Sequence, residues 1–178
     1  MVTLTEHYAR NNLDTIDWYE LSCMQLSEKF IIEFQDKLNW YNISYFHRQL
    51  SEEFIIKFSH KLNWDTISVN QKLSEEFIEK FDYKVDWHSI SKYQKLSEDF
   101  IRKFQDNVSW ALITTHQTLS EDFIREFQDR VDWNKVSKFC TLSIDGIIEF
   151  QDKLNINDLL LNPKINPEFK EYLLLLKS

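Results

Sequence analysis

Glycine, proline and cysteine are scarce in this chain. Its 178 residues include one Gly, two Pro and two Cys. A protein built from strands and tight turns needs more Gly and Pro than this, so the composition favours helices. Cys23 and Cys140 lack the spacing of a metal site. They predict two reduced thiols in a compartment of the cytosolic type.

Long apolar segments are also missing. A run such as Leu173–Leu176 is far shorter than the roughly 20 apolar residues of a membrane-spanning helix. The start of the chain has no pattern of a secretory signal peptide. These two absences predict a cytoplasmic protein without membrane contact.

The third shortage is of positive charge. The chain has 21 Lys and Arg against 29 Asp and Glu, and its net charge is −8. Residues 4–25 and residues 142–162 carry −3 each. No basic patch is available for a phosphate backbone, so we expect no direct binding of nucleic acid.

A repeated segment fills the chain. Consecutive repeats begin with a Leu, at positions 4, 26, 50, 73, 96, 119 and 142, at steps of 22, 24, 23, 23, 23 and 23 residues. A Trp follows the first six of these Leu by 14 residues, and Ile156 takes its place in the seventh repeat. Self-similarity at a short fixed period is typical of a solenoid.

Each repeat contains two helix-start signals. The first is a Ser after the starting Leu, with Thr5 in its place in repeat 1, and acidic residues follow it near the positive helix end. The second is a capping residue directly before the Trp position. The two signals predict a first helix of roughly ten residues and a second helix of roughly eight. The capping candidates are Ser27, Ser51, Ser74, Ser97, Ser120 and Ser143, then Asp17, Asn39, Asn63, Asp86, Ser109, Asp132 and Asn155.

The apolar positions agree with this division into two helices. In repeat 4, Phe77, Ile78, Phe81 and Val85 form one stripe of a 3.6-residue helix. The second helix carries the Trp, an Ile three residues later and then a small Ser or Thr, which we expect to let neighbouring helices approach closely. Helices this short need stacking of successive repeats for their stability.

We therefore predict one all-α domain over residues 1–178. It is an α-solenoid of seven helix-turn-helix repeats, right- or left-handed, with a capping helix within residues 163–178. Asn166 caps that last helix, Pro167 is its first residue, and an apolar face closes the stack. The residues expected to face inward are Phe169, Tyr172, Leu173 and Leu176.

Residues for catalysis or metal binding are not grouped. The five His are scattered over the repeat, and none has a second metal ligand at a suitable spacing, so we expect them to be exposed. Acid–base pairs at i, i+4 predict ion pairs along the first helices, such as Glu53–Lys57 and Glu149–Lys153. The sequence predicts a protein that is not an enzyme and has no cofactor, metal or small-molecule ligand.

Some surface positions are more apolar than the repeat requires. On the first helix, the place after the core Ile holds Ile32 and Ile56, but Glu79 in repeat 4. After the Trp come Tyr19 and Tyr41, with Tyr45 one helical turn beyond Tyr41. Such positions often mark a protein interface, so Tyr19, Tyr41, Tyr45, Ile32 and Ile56 are the candidate protein-binding residues. The alternative is that the change of repeat length between Trp18 and Leu50 turns these side chains into the core.

The repeat has a recognisable form. Its frame, Leu-Ser-Glu-x-Phe-Ile followed by Asp-Trp-x-x-Ile-Ser, resembles tandem repeats of uncharacterised proteins from giant DNA viruses and bacteriophages, and it covers residues 4 to about 160. The resemblance implies a viral or phage origin and hence a place in the host cytoplasm. It implies no activity and no site residues.

Two functions follow as hypotheses. The first is a helical-repeat scaffold that binds a protein, in the viral case one of the host. The second is an acidic mimic of nucleic acid that occupies a DNA-binding protein.

Overall fold

The computed structural model describes residues 4–177, apart from the side chains of residues 172 and 175–177. This part of the chain has fifteen helices and no strand. The predicted inward-facing side chains of Tyr172 and Leu176 lie outside the described residues. The helices are α1 (Leu4–Asn11), α2 (Trp18–Leu21), α3 (Glu28–Glu33), α4 (Trp40–Phe46), α5 (Glu52–Lys57), α6 (Trp64–Asn70), α7 (Glu75–Lys80), α8 (Trp87–Tyr93), α9 (Glu98–Lys103), α10 (Trp110–His116), α11 (Glu121–Glu126), α12 (Trp133–Phe139), α13 (Ile144–Glu149), α14 (Ile156–Leu161) and α15 (Pro167–Lys177).

Helix pairs stack within each of two compact units, Met1–Ile90 and Ser91–Ser178. In the first unit α4 packs against α6, and in the second α10 packs against α12 and α12 against α14. The predicted fold class, an all-α solenoid of short helix-turn-helix repeats, is confirmed. That residues 1–178 form one domain stays a prediction.

The predicted caps of the first helices are confirmed, with one exception. Each Ser is an N-cap whose hydroxyl accepts a hydrogen bond from the backbone three residues later, as between Ser51 and Phe54 N at 3.1 Å. Thr5 was a wrong prediction, because α1 already includes Leu4 and Thr5 lies inside it. Before the second helices, Ser109 occupies the N-cap place without a capping bond from its side chain.

Helices are shorter than predicted. In repeats 2 and 3 the first helix has six residues and the second has seven. In repeats 2–7 the Phe eight residues after the starting Leu ends the first helix, as Phe58 does with φ −108° and ψ 21°. A separate turn follows, closed by the bond from Leu62 N to Phe58 O at 3.1 Å. The predicted apolar stripe therefore spans a helix and a turn.

The core contains the residues that the stripe predicted. Ile31, Ile55 and Ile78 in the first unit are fully buried, as are Ile101 and Ile124 in the second. At the end of the chain, α15 packs against α14, and its Leu173 is buried. Asn166 accepts a bond from Glu168 N at 3.0 Å, so the predicted start of the capping helix is confirmed.

A buried serine joins successive repeats. Ser44 donates its hydroxyl proton to Trp40 O at 2.7 Å, while its oxygen accepts a bond from Asn63 N of the next repeat at 2.9 Å. In the second unit Ser137 makes the same pair of bonds with Trp133 O and Asn155 N. The small residue after the Ile thus allows close approach and also accepts a hydrogen bond from the backbone N–H of the residue that caps the next second helix.

The glutamate directly after most of the capping serines has a comparable role. Glu52 accepts a bond from Ser74 N of the following repeat at 2.6 Å, and Glu98 does the same for Ser120 N at 2.6 Å. These carboxylates do more than oppose the helix dipole, because each one also satisfies a backbone donor of the next repeat.

The tryptophans are half-buried and lie between repeats. The Trp40 ring lies 4.8 Å from the Phe58 ring of the next repeat, and the Lys61 ammonium lies 5.1 Å from the centre of the indole. Its Nε1 donates to Gln35 O at 2.9 Å. The Trp is therefore a packing residue, and one face of its indole is covered by the next repeat.

None of the described helices is long and apolar enough to cross a membrane.

Candidate protein-binding surface

The three candidate tyrosines are exposed. Tyr19 on α2 is 62% exposed, and Tyr41 and Tyr45 on α4 are 58% and 47% exposed. The alternative, in which the change in repeat length turns them into the core, is wrong for these residues. The extra residue of repeat 2 falls in the segment 47–49, after α4 has ended, so the face of α4 is unchanged.

Tyr41, Tyr45 and Phe46 form an aromatic cluster. The Tyr41 and Tyr45 rings are 6.2 Å apart and nearly parallel, at 14°. The Phe46 ring stands edge-on to Tyr45 at 5.0 Å and is 40% exposed. Sequence reasoning missed Phe46, although its position next to Tyr45 at a variable place of the repeat was a usable signal. Three aromatic rings are therefore in contact on the solvent side of one helix.

Hydrogen bonds hold the backbone around this cluster. Asn42 donates to Tyr19 O at 3.2 Å, and Asn70 donates to Tyr45 O at 3.1 Å. These bonds link α2 to α4 and α4 to α6. Gln25 donates to Phe46 O at 2.8 Å. These bonds fix the helix that presents the aromatic cluster before any partner arrives, which lowers the entropic cost of binding.

Ile32 and Ile56 lie on a different row of helices. They belong to α3 and α5, which are first helices, whereas the tyrosines belong to second helices. Ile56 is 38% exposed and Ile32 is half-buried. The structure therefore brings together Tyr41 and Tyr45, but it places the two isoleucines on a separate surface.

Ion pairs of the first helices run between repeats as well as within one helix. Arg102 Nε contacts Glu126 Oε2 at 2.8 Å, and Arg125 Nη2 contacts Glu149 Oε2 at 2.6 Å. The hydrogen bonds from Arg125 lower the pKa of Glu149. The predicted pair Glu149–Lys153 is wrong, because Glu149 bonds to Arg125 and the Lys153 ammonium lies over Trp133 at 5.1 Å. Charged side chains on neighbouring first helices therefore pair across repeats, which the i, i+4 rule does not take into account.

His47 was wrongly predicted to be exposed. It is 2% exposed, and its Nε2 has no hydrogen-bond partner in the described part of the chain. Burial lowers the pKa of His47, partly offset by the backbone of Ser22 and Leu26. The same place seven residues after the Trp holds Gln71, which accepts a bond from Leu50 N at 3.0 Å and donates to His47 O. His47 therefore takes a place that holds a buried amide side chain in repeats 3 to 5.

Cys23 and Cys140 are free thiols, and burial raises the pKa of Cys140 to about 11. Among the described residues, no group of three His, Cys, Asp or Glu side chains is placed to hold a metal ion.

Comparison with known proteins adds no relative. No model of a protein family, no curated protein and no solved structure matches the chain.

Proposed function

We propose that this protein is a non-enzymatic helical-repeat scaffold that binds another protein through the aromatic cluster of Tyr41, Tyr45 and Phe46. The observation that carries this proposal is the contact between three exposed aromatic rings on a helix whose backbone is fixed. Aromatic anchors of this kind supply much of the energy of protein interfaces. Tyr19 on the neighbouring helix extends the same row.

The frame of the repeat supports this assignment. The core Phe, Trp and Ile positions and the joining Ser are committed to stacking, so a binding function has to use positions where repeats differ. Together with the resemblance to viral and phage repeats, this favours a host protein in the cytoplasm as the partner. Ile32 and Ile56 remain candidates for a second contact of the same partner.

The acidic nucleic-acid mimic has less support. Mimicry needs unpaired negative charge along a face, but Glu126 and Glu149 are paired with arginines. Salt separates the two hypotheses, because screening shortens to about 3 Å at 1 M salt and would abolish a binding driven by charge.

The test uses affinity capture from a lysate of the natural host, followed by a binding assay with the captured protein. We expect a Tyr41→Ala/Tyr45→Ala variant to lose at least about tenfold in affinity, which corresponds to about 1.4 kcal/mol. A Tyr93→Ala variant is the matched control, since Tyr93 is an exposed aromatic residue of the second unit. Binding that survives the double change and collapses in high salt would reject the aromatic cluster in favour of the mimic.

A further inference from the structure

Repeat 1 contains a groove that the aromatic cluster does not use. Its volume is about 670 Å³, within the range of about 300–1,000 Å³ that is usual for ligand sites. Apolar side chains of α1, α2 and the turns on both sides of α2 line it, among them Tyr8, Ile16, Leu21 and Met24. We call it the first-repeat groove.

In later repeats the Trp of the preceding repeat covers the corresponding face. Phe54 stands four residues after its starting Leu and is 3% exposed, because Trp40 of the preceding repeat stacks on it at 6.2 Å. Tyr8 stands at the same place in repeat 1 and is 61% exposed. The first-repeat groove is therefore the face that, in later repeats, receives the Trp of the preceding repeat. In the described part of the chain no indole lies on it.

A backbone donor shows the same difference. Asn63 N donates to Ser44, and Asn39 N donates to Ser22 at 2.8 Å. Asp17 has the equivalent place in repeat 1, and its backbone N–H has no acceptor among the described residues. An element that completed this face as the repeats do would bring a hydroxyl to Asp17 and an indole to Tyr8.

Charge restricts the occupant further. Asp17 and Glu20 line the groove, and no Lys or Arg does. The whole of residues 4–25 carries −3. A basic segment is therefore favoured over an acidic one.

We propose that the first-repeat groove binds a helix of a partner protein that presents an indole and, four residues later, a hydroxyl, with basic residues beside them. The spacing is that of Trp40 and Ser44, which lie on one helical face and together occupy the corresponding face of repeat 3. The occupant is thus a helix that imitates the second helix of a repeat. This site shares no residue with the aromatic cluster, so either site can fail without the other.

The chain itself provides the probe. Residues 85–95 read Val-Asp-Trp-His-Ser-Ile-Ser-Lys-Tyr-Gln-Lys, in which Trp87 and Ser91 have the required spacing and two Lys outweigh one Asp. A fluorescent synthetic peptide of this sequence is titrated with the full-length protein, and fluorescence anisotropy is measured. We expect saturable binding that weakens at least about tenfold in a Trp87→Ala peptide and severalfold in a Ser91→Ala peptide.

Matched protein variants locate the binding. Tyr8→Ala is expected to weaken the peptide at least about tenfold, whereas Tyr93→Ala leaves it unchanged. Circular dichroism melting curves check that each variant is folded. Should Tyr8→Ala unfold, a charge exchange at exposed Glu20 gives an independent test. Glu20→Lys should weaken the Lys peptide and strengthen a Lys92→Glu/Lys95→Glu peptide.

Several results would overturn the proposal. They are no saturation at millimolar peptide, equal affinity for the Trp87→Ala peptide, or equal binding by both Glu20 forms. Sedimentation velocity is run on the protein alone. A dimer that disappears in Tyr8→Ala would assign the groove to a second copy of the chain and would also overturn the partner-helix proposal.

Discussion

The same place on the first helix, six residues after the starting Leu, is used differently in repeats 2 and 3 and in repeats 5 and 6. In the second unit, Arg102 and Arg125 each reach a glutamate of the following repeat. In repeats 2 and 3 of the first unit the place holds Ile32 and Ile56, and these two side chains cannot form an ion pair. Repeat 1 of that unit has Arg10 there, which bonds to Glu33 as the later arginines bond to their glutamates. The residue before this place is the same in both cases, since Ile55 and Ile124 are both fully buried. The comparison shows that a repeat can vary its outward face freely while its stacking contacts stay constant.

Loss of the joining serine should have the largest effect, and it should be equal in both units. Ser44→Ala leaves the Asn63 N–H without its acceptor, and Ser137→Ala does the same to Asn155 N. Each change is expected to lower the free energy of unfolding by about 1–3 kcal/mol, the usual cost of an unpaired buried donor. Urea titrations measure it, with exposed Thr118→Ala as the control. A loss in one unit alone would contradict the idea of a common joint.

Acid should destabilise the protein through His47 but not through the glutamines that take the equivalent place in repeats 3 to 5. Burial lowers the pKa of His47, so the unfolded chain binds more protons than the folded one just below the ordinary His pKa of about 6.5. The His47 contribution to stability is therefore present at neutral pH and is lost as the pH falls below that value. His47→Gln should reduce the fall in urea midpoint between pH 7.5 and pH 5.

The reverse change sharpens the same comparison. Gln117 of the second unit accepts a bond from Leu96 N at 3.1 Å and donates to Gln94 O at 2.8 Å. Gln117→His should add a second fall in stability with acid to the one that His47 causes in the wild type. If His47→Gln keeps the full pH dependence of the wild type, another group is responsible for it.

Exchange of the outward residues should have the smallest effect. Ile56→Glu places a carboxylate opposite Lys80, at the position equivalent to the Arg125–Glu149 ion pair. Arg125→Ile removes that ion pair. Both sites are largely in water, where ion pairs contribute little and salt screens them. We expect smaller shifts in urea midpoint than for the serine variants, and a dependence on salt only where a pair is gained or lost. A large loss in Ile56→Glu would show that Ile56 belongs to the core.

Sequence reasoning succeeded where a position has one strong local signal. The Ser caps, the Pro167 start of α15 and the apolar stripes depend on neighbours within one helix or turn, and they were predicted correctly. It failed where a side chain had two competing neighbours. Glu149 has Lys153 one turn away, but the guanidinium of Arg125 on the previous repeat bonds to it instead.

The aromatic cluster was predicted in part. Tyr41 and Tyr45 were identified because they differ from the repeat, and Phe46 was overlooked because its ring contact with Tyr45 depends on the local conformation at the end of α4. Ile32 and Ile56 were grouped with the tyrosines although they were predicted on first helices and the tyrosines on second helices, since a sequence does not show whether the outward faces of two helices meet. Burial of His47 was missed for a similar reason. Its place reads as the end of a helix, and only the adjacent repeat makes it interior.

By itself the sequence determined the all-α class, the repeat period, the caps and the buried columns, because these follow from spacing along one chain segment. Only the tertiary structure decided which donor meets which acceptor between repeats, which surface side chains touch, and where the groove of repeat 1 lies. The contacts between repeats join residues that are far apart in sequence, as between Glu52 and Ser74, which are 22 positions apart. Their distances depend on how one repeat is turned against the next, and no local periodicity specifies that angle.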